Sequence, residues 1–214
     1  MKLDKALDRL ISILPLKDNQ DKCSAEIKKL HQEILRSFVT KGRILSREEM
    51  MQFTDDIDNA VNVLKNYDMV VFSATNEAIG AYPLTMEKRE HTVQVNNHTV
   101  YAMCALDALA VSPMFELETE ITSRCRVTHD LIKIKQSNKT ILNVDEAGAI
   151  FFGIIWAAAS EAGSCANNLC MEMIFLRDED TAQQWLMDDS ENREIFNLQE
   201  AVEFSARFFV PLMS

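Results

Sequence analysis

The chain has 214 residues, 47% hydrophobic and 26% charged, with only 5 glycines and 4 prolines; it is long enough to bury a substantial core and too apolar for disorder or low complexity. Its formal charge is -11, from 22 Lys and Arg against 33 Asp and Glu, which repels phosphate backbones and anionic lipid heads and excludes nucleic acid and membrane surfaces as the expected partners. Up to Thr85 there are 12 basic and 13 acidic residues and beyond it 10 and 20, so the acidity belongs to the C-terminal part.

Leu3, Leu7, Leu10, Ile11 and Leu14 recur at helical spacing up to Pro15 and predict a short amphipathic helix. Ser24 caps a second, whose stripe of Ile27, Leu30, Ile34, Leu35 and Phe38 stops near Gly42; Cys23 lies just outside it and is incidental. Ser46 and Glu49 form a capping box for a short helix with Met50, Met51 and Phe53, and Thr54 and Asp55 cap the next, which carries Ile57, Val61 and Leu64. Met69 to Phe72 is a β-type segment followed by the turn residues Asn76 and Gly80, so helices and hairpin form a winged-helix-like unit. Such a unit could serve a DNA-binding regulator. Asp55 to Asn66, in the position of a recognition helix, carries three aspartates and a single lysine, which assigns it a structural or lid role instead.

His91 to Val95 and Thr99 to Ala102 alternate around Asn96-Asn97, a two-residue hairpin signal that delivers the chain into Tyr101-Ala-Met-Cys-Ala-Leu-Asp107. Ala105 to Val111 are helix material with no Gly or Pro before Pro113, and a three-residue spacing puts Cys104 and Asp107 on one face. Glu118 to Val127 and Leu131 to Lys135 read as strands around Thr128-His-Asp130, and Thr140 to Val144 as a fragment of another. Ala149 to Trp156 is a continuous apolar run, as expected of a strand covered on both faces. The small-residue stretch Ala157 to Asn168 reads as a loop or frayed helix, after which Cys170 begins a strand running to Leu176. Thr181 to Leu186 and Leu198 to Phe209 close the chain as helices.

Five cysteines are an odd number, in a chain with no basic stretch followed by an apolar run at its start; the expectation is reduced thiols in the cytoplasm. The longest apolar run, Ala149 to Ala159, is far short of the roughly 20 residues a membrane span requires. Generic thiol chemistry finds little support. A zinc site wants close Cys or His pairs, and there is no Cys-x-x-Cys or His-x-x-x-His. A thiol hydrolase needs a histidine beside Cys104, and His31, His91, His98 and His129 fall in no recognisable motif. Thioredoxin-like exchange would want a resolving cysteine where Asp107 stands. A buried thiol is commonly just a small inert hydrophobe, and that remains the alternative for Cys104.

The segment Ala81-Tyr-Pro-Leu-Thr, then Val100-Tyr-Ala-Met-Cys-Ala-Leu-Asp-Ala-Leu109, then Ser123-Arg-Cys125 and finally Cys170, fifteen residues before Trp185, resembles the organomercurial (alkylmercury) lyases. By that resemblance Cys104 and Cys170 correspond to the mercury-binding cysteines, Asp107 to the catalytic carboxylate that also faces the metal, and Cys125 to a buried structural cysteine. The chain departs from the family pattern at Met103, where a tryptophan is expected, and at Cys170-Met171-Glu172, where a Cys-Cys-His run is expected. Cys165 is an additional thiol, read as an exposed loop cysteine, with a role as a further acceptor as the alternative.

The resemblance implies protonolysis of a carbon–mercury bond. Mercury(II) is soft, so thiolates outrank other side chains as ligands, and two of them suit its linear geometry. A proton must also reach the leaving carbon, and Asp107 would take it from a cysteine and return it there. The substrate would be an alkyl- or aryl-mercury compound arriving as a thiol adduct. Small thiols act as co-reactants, Hg(II) is the bound product, no organic cofactor is needed, and a mercuric reductase is a further expected acceptor. The alternative is a homologue that binds or senses a soft metal without cleaving the bond. The expected architecture is α+β: a helical winged-helix-like domain over residues 1–85 packed on a catalytic core over 86–214, with a mixed or antiparallel sheet and flanking helices, in a cytoplasmic monomer.

Overall fold

The computed structural model describes residues 2–75, 77–160 and 165–214. Asn76 of the expected turn and residues 161–164 of the small-residue stretch lie outside the described residues.

Pro15 both ends one helix and starts another. Helix α1 (Lys2–Ile13) stops before it, and α2 (Leu16–Lys22), which the hydrophobic pattern does not signal, begins directly after it, as suits a residue whose missing N–H costs nothing at a helix start. Helix α3 (Ala25–Lys41) is capped by the Ser24 hydroxyl, which accepts from the Ile27 N–H, and it ends at Gly42 with φ of 67°. That left-handed turn also packs against a ring: a Cβ there would come within 2.8 Å of His98. Helix α4 (Arg47–Met50) has the reciprocal Ser46–Glu49 box. Helix α5 (Ile57–Asn66) is capped by Asp56, whose carboxylate accepts from the Asn59 N–H; the Thr54 hydroxyl accepts from the Asp56 N–H instead of capping the helix itself.

Strands β1 (Val70–Phe72), β2 (Ala78–Ala81), β3 (Leu84–Thr85), β4 (His91–Val95) and β5 (His98–Ala102) follow, then helix α6 (Ala105–Phe115) and strands β6 (Glu118–Arg124), β7 (Leu131–Ser137) and β8 (Thr140–Ile141). They form one antiparallel eight-stranded sheet in the order β1-β2-β3-β5-β4-β6-β7-β8. The hairpin expected of a wing is therefore continuous with the sheet of the core, joined through β3, whose Leu84 and Thr85 pair with Ala102 and Tyr101 of β5. The β4–β5 turn has Asn96 and Asn97 at φ of 47° and 64°, the left-handed pair that a two-residue hairpin requires. Strand β6 ends at Arg124 rather than Val127 because the chain turns at Cys125: the Cys125 N–H bonds the Asp130 carbonyl, and the His129 N–H bonds that of Cys125.

The strand expected over Thr140 to Val144 ends at Ile141, and helix α7 (Val144–Ala147) takes up Val144. A second sheet, in the order β10-β9-β11, comprises β9 (Phe151–Ile155), β10 (Met173–Leu176) and β11 (Arg193–Asn197), with β9 in the centre as its apolar run implies. Helix α8 (Glu179–Met187) and helix α9 (Leu198–Phe209) complete the α+β fold. Between β9 and β10 the described chain is built of 3-10 turns at Trp156–Ser160, Cys165–Asn167 and Leu169–Glu172. Cys170 thus sits in a turn, and the strand expected to begin at it starts at Met173.

Helix α6 is buried around its whole circumference, with every residue from Ala105 to Met114 covered, so it has no solvent face. It packs against α9 and the eight-stranded sheet. It also continues through Pro113, where Leu109 loses its helical donor. The Gln136 side chain from β7 donates to that carbonyl at 3.0 Å, a long-range bond that lets the proline stand inside the helix.

Candidate active site

Strand β5 ends at Ala102, and two residues later Cys104 opens α6 in extended backbone, φ -151° and ψ -179°. Its sulfur accepts from the Asp107 N–H at 3.3 Å. The pair therefore meets as helix cap and third helical residue, the spacing of a capping box with a thiol in the place of serine. Charge developing on that sulfur faces the open N–H groups and positive end of an 11-residue helix.

Cys170 approaches from the other side, on the Leu169–Glu172 turn that leads into β10. The Cys104 and Cys170 sulfurs and an Asp107 carboxylate oxygen all lie within 4.8 Å of one another. A metal–thiolate bond of about 2.3 Å, the value for zinc, puts two collinear sulfurs roughly 4.6 Å apart, a separation inside that bound. The Met173 sulfur lies 3.5 Å from the Cys104 thiol. All three groups are sealed from solvent, with exposures of 0%, 2% and 4% for Cys104, Asp107 and Cys170.

That burial sets their protonation. It pushes the Cys104 thiol up to about 12, the adjacent Asp107 charge adding to the effect. It pushes the Asp107 carboxyl up to about 7, against the opposing contacts with Cys104. The Cys170 thiol is driven well above its ordinary value, first by its contacts with the Cys104 and Cys165 thiols and then by burial. At neutral pH the thiols hold their protons, while the carboxyl is poised between its two forms. One Asp107 oxygen, Oδ2, is buried with no hydrogen-bond partner, an acceptor left open beside two thiols.

The remaining cysteines separate clearly. Cys125 is buried and its sulfur accepts from the Thr128 N–H at 3.4 Å, closing the turn after β6. Cys23 donates to the Asn19 carbonyl in the helical layer. Cys165, expected to be an exposed loop thiol, is only partly exposed and lies 3.7 Å from the Cys170 sulfur. None of the four histidines joins the cluster: His91, for example, is buried beside Ser123 at 2.7 Å and its pKa is lowered to about 3 by burial, so it stays neutral.

Sequence reasoning missed the groups that hold the Cys170 segment. The Tyr82 hydroxyl donates to Asp68 at 3.0 Å and accepts from the Ala166 N–H at 2.9 Å, while the Cys165 N–H bonds the same Asp68 carboxylate at 3.3 Å. From the opposite side the Arg126 guanidinium donates to the Met171 carbonyl at 2.8 Å and Arg89 reaches the Met171 sulfur at 2.7 Å and Asn167 at 3.4 Å. Tyr82 stands in the string that carries the family resemblance, which was the available signal. Asp68, with φ of 50°, had none. Met103 packs its methyl on Gly80, where a Cβ would approach it to 2.7 Å.

Two thiols and a carboxyl enclosed in an α+β scaffold form a buried cluster that could hold a soft metal ion. Comparison with known proteins places that scaffold. The MerB (alkylmercury lyase) family profile matches residues 84–210, more than half of the chain. Alkylmercury lyases of Bacillus cereus and Clostridium butyricum are each 21% identical over 198 residues, covering 92% of this chain and 88% of theirs. The mercury-bound form of MerB2 superposes with a TM-score of 0.73 at 20% identity, over 93% of this chain and 98% of its own. The chain belongs to the alkylmercury lyase family. Among the described residues no helix is long and apolar enough to cross a membrane.

Proposed function

We propose that the protein cleaves the carbon–mercury bond of alkyl- or aryl-mercury compounds to a hydrocarbon and Hg(II), with Cys104 and Cys170 as the mercury ligands and Asp107 as the proton relay. The observation that carries this reading is the meeting of the two sulfurs and the carboxylate within 4.8 Å, with Asp107 Oδ2 free to accept a proton.

A thiol raised to about 12 does not ionise unaided at neutral pH; ligation by a soft cation expels its proton, since a coordinated thiol is deprotonated. Asp107, raised to about 7, accepts that proton as the sulfur binds and then carries it to the carbon that leaves. For a substrate carried as a small-thiol adduct the atoms balance: two cysteine protons are consumed, one ending on the hydrocarbon and one on the released thiol, and Hg(II) stays as a dithiolate. General acid–base transfer of this kind contributes roughly 10²- to 10⁴-fold in rate. The reading is that of a monomer and calls on no organic cofactor. Small thiols, or a mercuric reductase, would take the ion, and the reducing cytoplasm would keep the thiols free.

A protein that only sequestered mercury would need two sulfurs and no acid. The poised carboxyl between them favours cleavage. Purified protein incubated with phenylmercury and excess thiol should release stoichiometric or greater benzene into the headspace. Binding of one equivalent of mercury with no benzene would overturn the reading in favour of sequestration.

A further inference from the structure

We propose that Cys165 is a third mercury ligand, one that draws Hg(II) off the buried Cys104–Cys170 pair toward solvent with Cys170 as the pivot. The inference rests on the reading of Cys104 and Cys170 as mercury ligands. Cys165 lies 3.7 Å from the Cys170 sulfur and stands outside the cluster formed by Cys104, Asp107 and Cys170. Three sulfurs sharing one ion at bonds of about 2.3 Å would stand roughly 4 Å apart, close to the spacing already present on the Cys170–Cys165 side. Cys165 is partly exposed, whereas Cys104 and Cys170 are sealed at 0% and 4%, so of the three thiols Cys165 is the one open to solvent.

The position of Cys165 is built. Its own N–H is held by Asp68 and the next residue's N–H by the Tyr82 hydroxyl, two bonds from the part of the chain before β3 that fix the thiol against Cys170.

The step conserves every atom and electron pair. The Cys165 sulfur bonds to the metal and gives up its proton, the Cys104–mercury bond breaks, and the Cys104 sulfur takes up a proton. Two thiolates bind the ion before and after, so no metal–sulfur bond is lost in the exchange, and Cys104 returns to its starting form. Two external thiols then displace Cys165 and Cys170 in turn at the partly exposed end. Without Cys165 an incoming thiol must reach the sealed pair directly.

The test needs no cleavage. Reduced wild-type protein, Cys165→Ala, Cys165→Ser and Cys23→Ser are each loaded with one equivalent of HgCl₂, mixed with excess glutathione, and the ion still bound is followed by rapid gel filtration and elemental analysis. Release should slow at least tenfold in both Cys165 variants and keep the wild-type rate in Cys23→Ser, which removes a thiol remote from the site. Release within twofold of wild type in both Cys165 variants would overturn the proposal. X-ray absorption supplies a second readout: Cys104→Ser loaded with HgCl₂ should retain two sulfur ligands, and Cys104→Ser/Cys165→Ser only one. Equal sulfur counts in these two proteins would likewise overturn it. Absence of benzene from wild type and phenylmercury would sink the lyase reading alone, since the release comparison starts from Hg(II).

Discussion

The two halves of the site are built in opposite ways. The Cys104–Asp107 half sits at the head of α6, a helix buried on all sides between the eight-stranded sheet and α9, and its geometry follows from one local rule, a cap and the third residue after it. The Cys170–Cys165 half sits on short 3-10 turns between β9 and β10, with little ladder of its own. It is placed by hydrogen bonds from distant residues: Asp68, Tyr82, Arg89 and Arg126. One half is placed by its own sequence, the other by what surrounds it. Under the proposed reading the thiol and acid on α6 would stay in place, and the segment held by a few side-chain bonds would be the one to give way as substrate enters and the ion leaves.

The largest effect should come from the α6 half. Asp107→Asn keeps the helix and both sulfurs but removes the relay, and benzene release from phenylmercury should fall roughly 10²- to 10⁴-fold with stoichiometric Hg(II) binding retained; full activity would remove Asp107 from the mechanism. The same variant carries a pH signature. A carboxyl raised to about 7 in the folded state favours folding most below its unfolded value of about 3.9, and that contribution is lost as pH rises through 7. The Tm of Asp107→Asn relative to wild type should therefore climb between about pH 4 and pH 7 and level off above; a constant difference would place the group elsewhere on the scale.

Smaller effects test what holds each half. Gln136→Leu strips the donor from the Leu109 carbonyl beneath Pro113 and should lower stability by about 1–3 kcal/mol in denaturant titrations, the cost of a buried unpaired acceptor. Tyr82→Phe removes one bond to Asp68 and one from Ala166. It should cost about 1 kcal/mol globally yet speed hydrogen exchange at Ala166 selectively, while amides inside α6 stay as protected as in wild type. Equal acceleration in both places would erase the distinction between the halves. Least of all, Arg89→Ala loses the contacts with Met171 and Asn167 on the turn and the ion pair with Glu87 at 2.8 Å, worth about 0–1 kcal/mol, and should shift Tm only slightly.

What the amino-acid pattern revealed follows the same line. Helix α3 with its Ser24 cap and Gly42 stop, the Ser46–Glu49 box, the Asn96-Asn97 turn and the apolar strand β9 are each specified by neighbouring residues, and each is found where the pattern puts it. The short strands β3 and β11 and helix α2 carry too few residues for a period to show, and they exist because a partner strand or helix face receives them. That Cys104 and Asp107 share one helix face was legible from their spacing; the role expected of them came through the family resemblance. Cys170 was legible only through the family resemblance, because nothing local reveals that a thiol some sixty residues on folds back to them. The contact of Cys165 with Cys170, and the Asp68–Tyr82 anchor beneath it, are products of tertiary packing and left no mark on the local pattern.

At the heads of α3 and α4 the capping atom is the hydroxyl oxygen of Ser24 and Ser46; at the head of α6 it is the sulfur of Cys104. Oxygen fills that seat at least as well, since serine is among the preferred caps. Exchanging the one atom would leave the helix started and the core intact while taking one thiol out of the buried pair. Every cysteine codon is one nucleotide away from a serine codon, so a single mutation would remove the thiol while the fold stayed as it is.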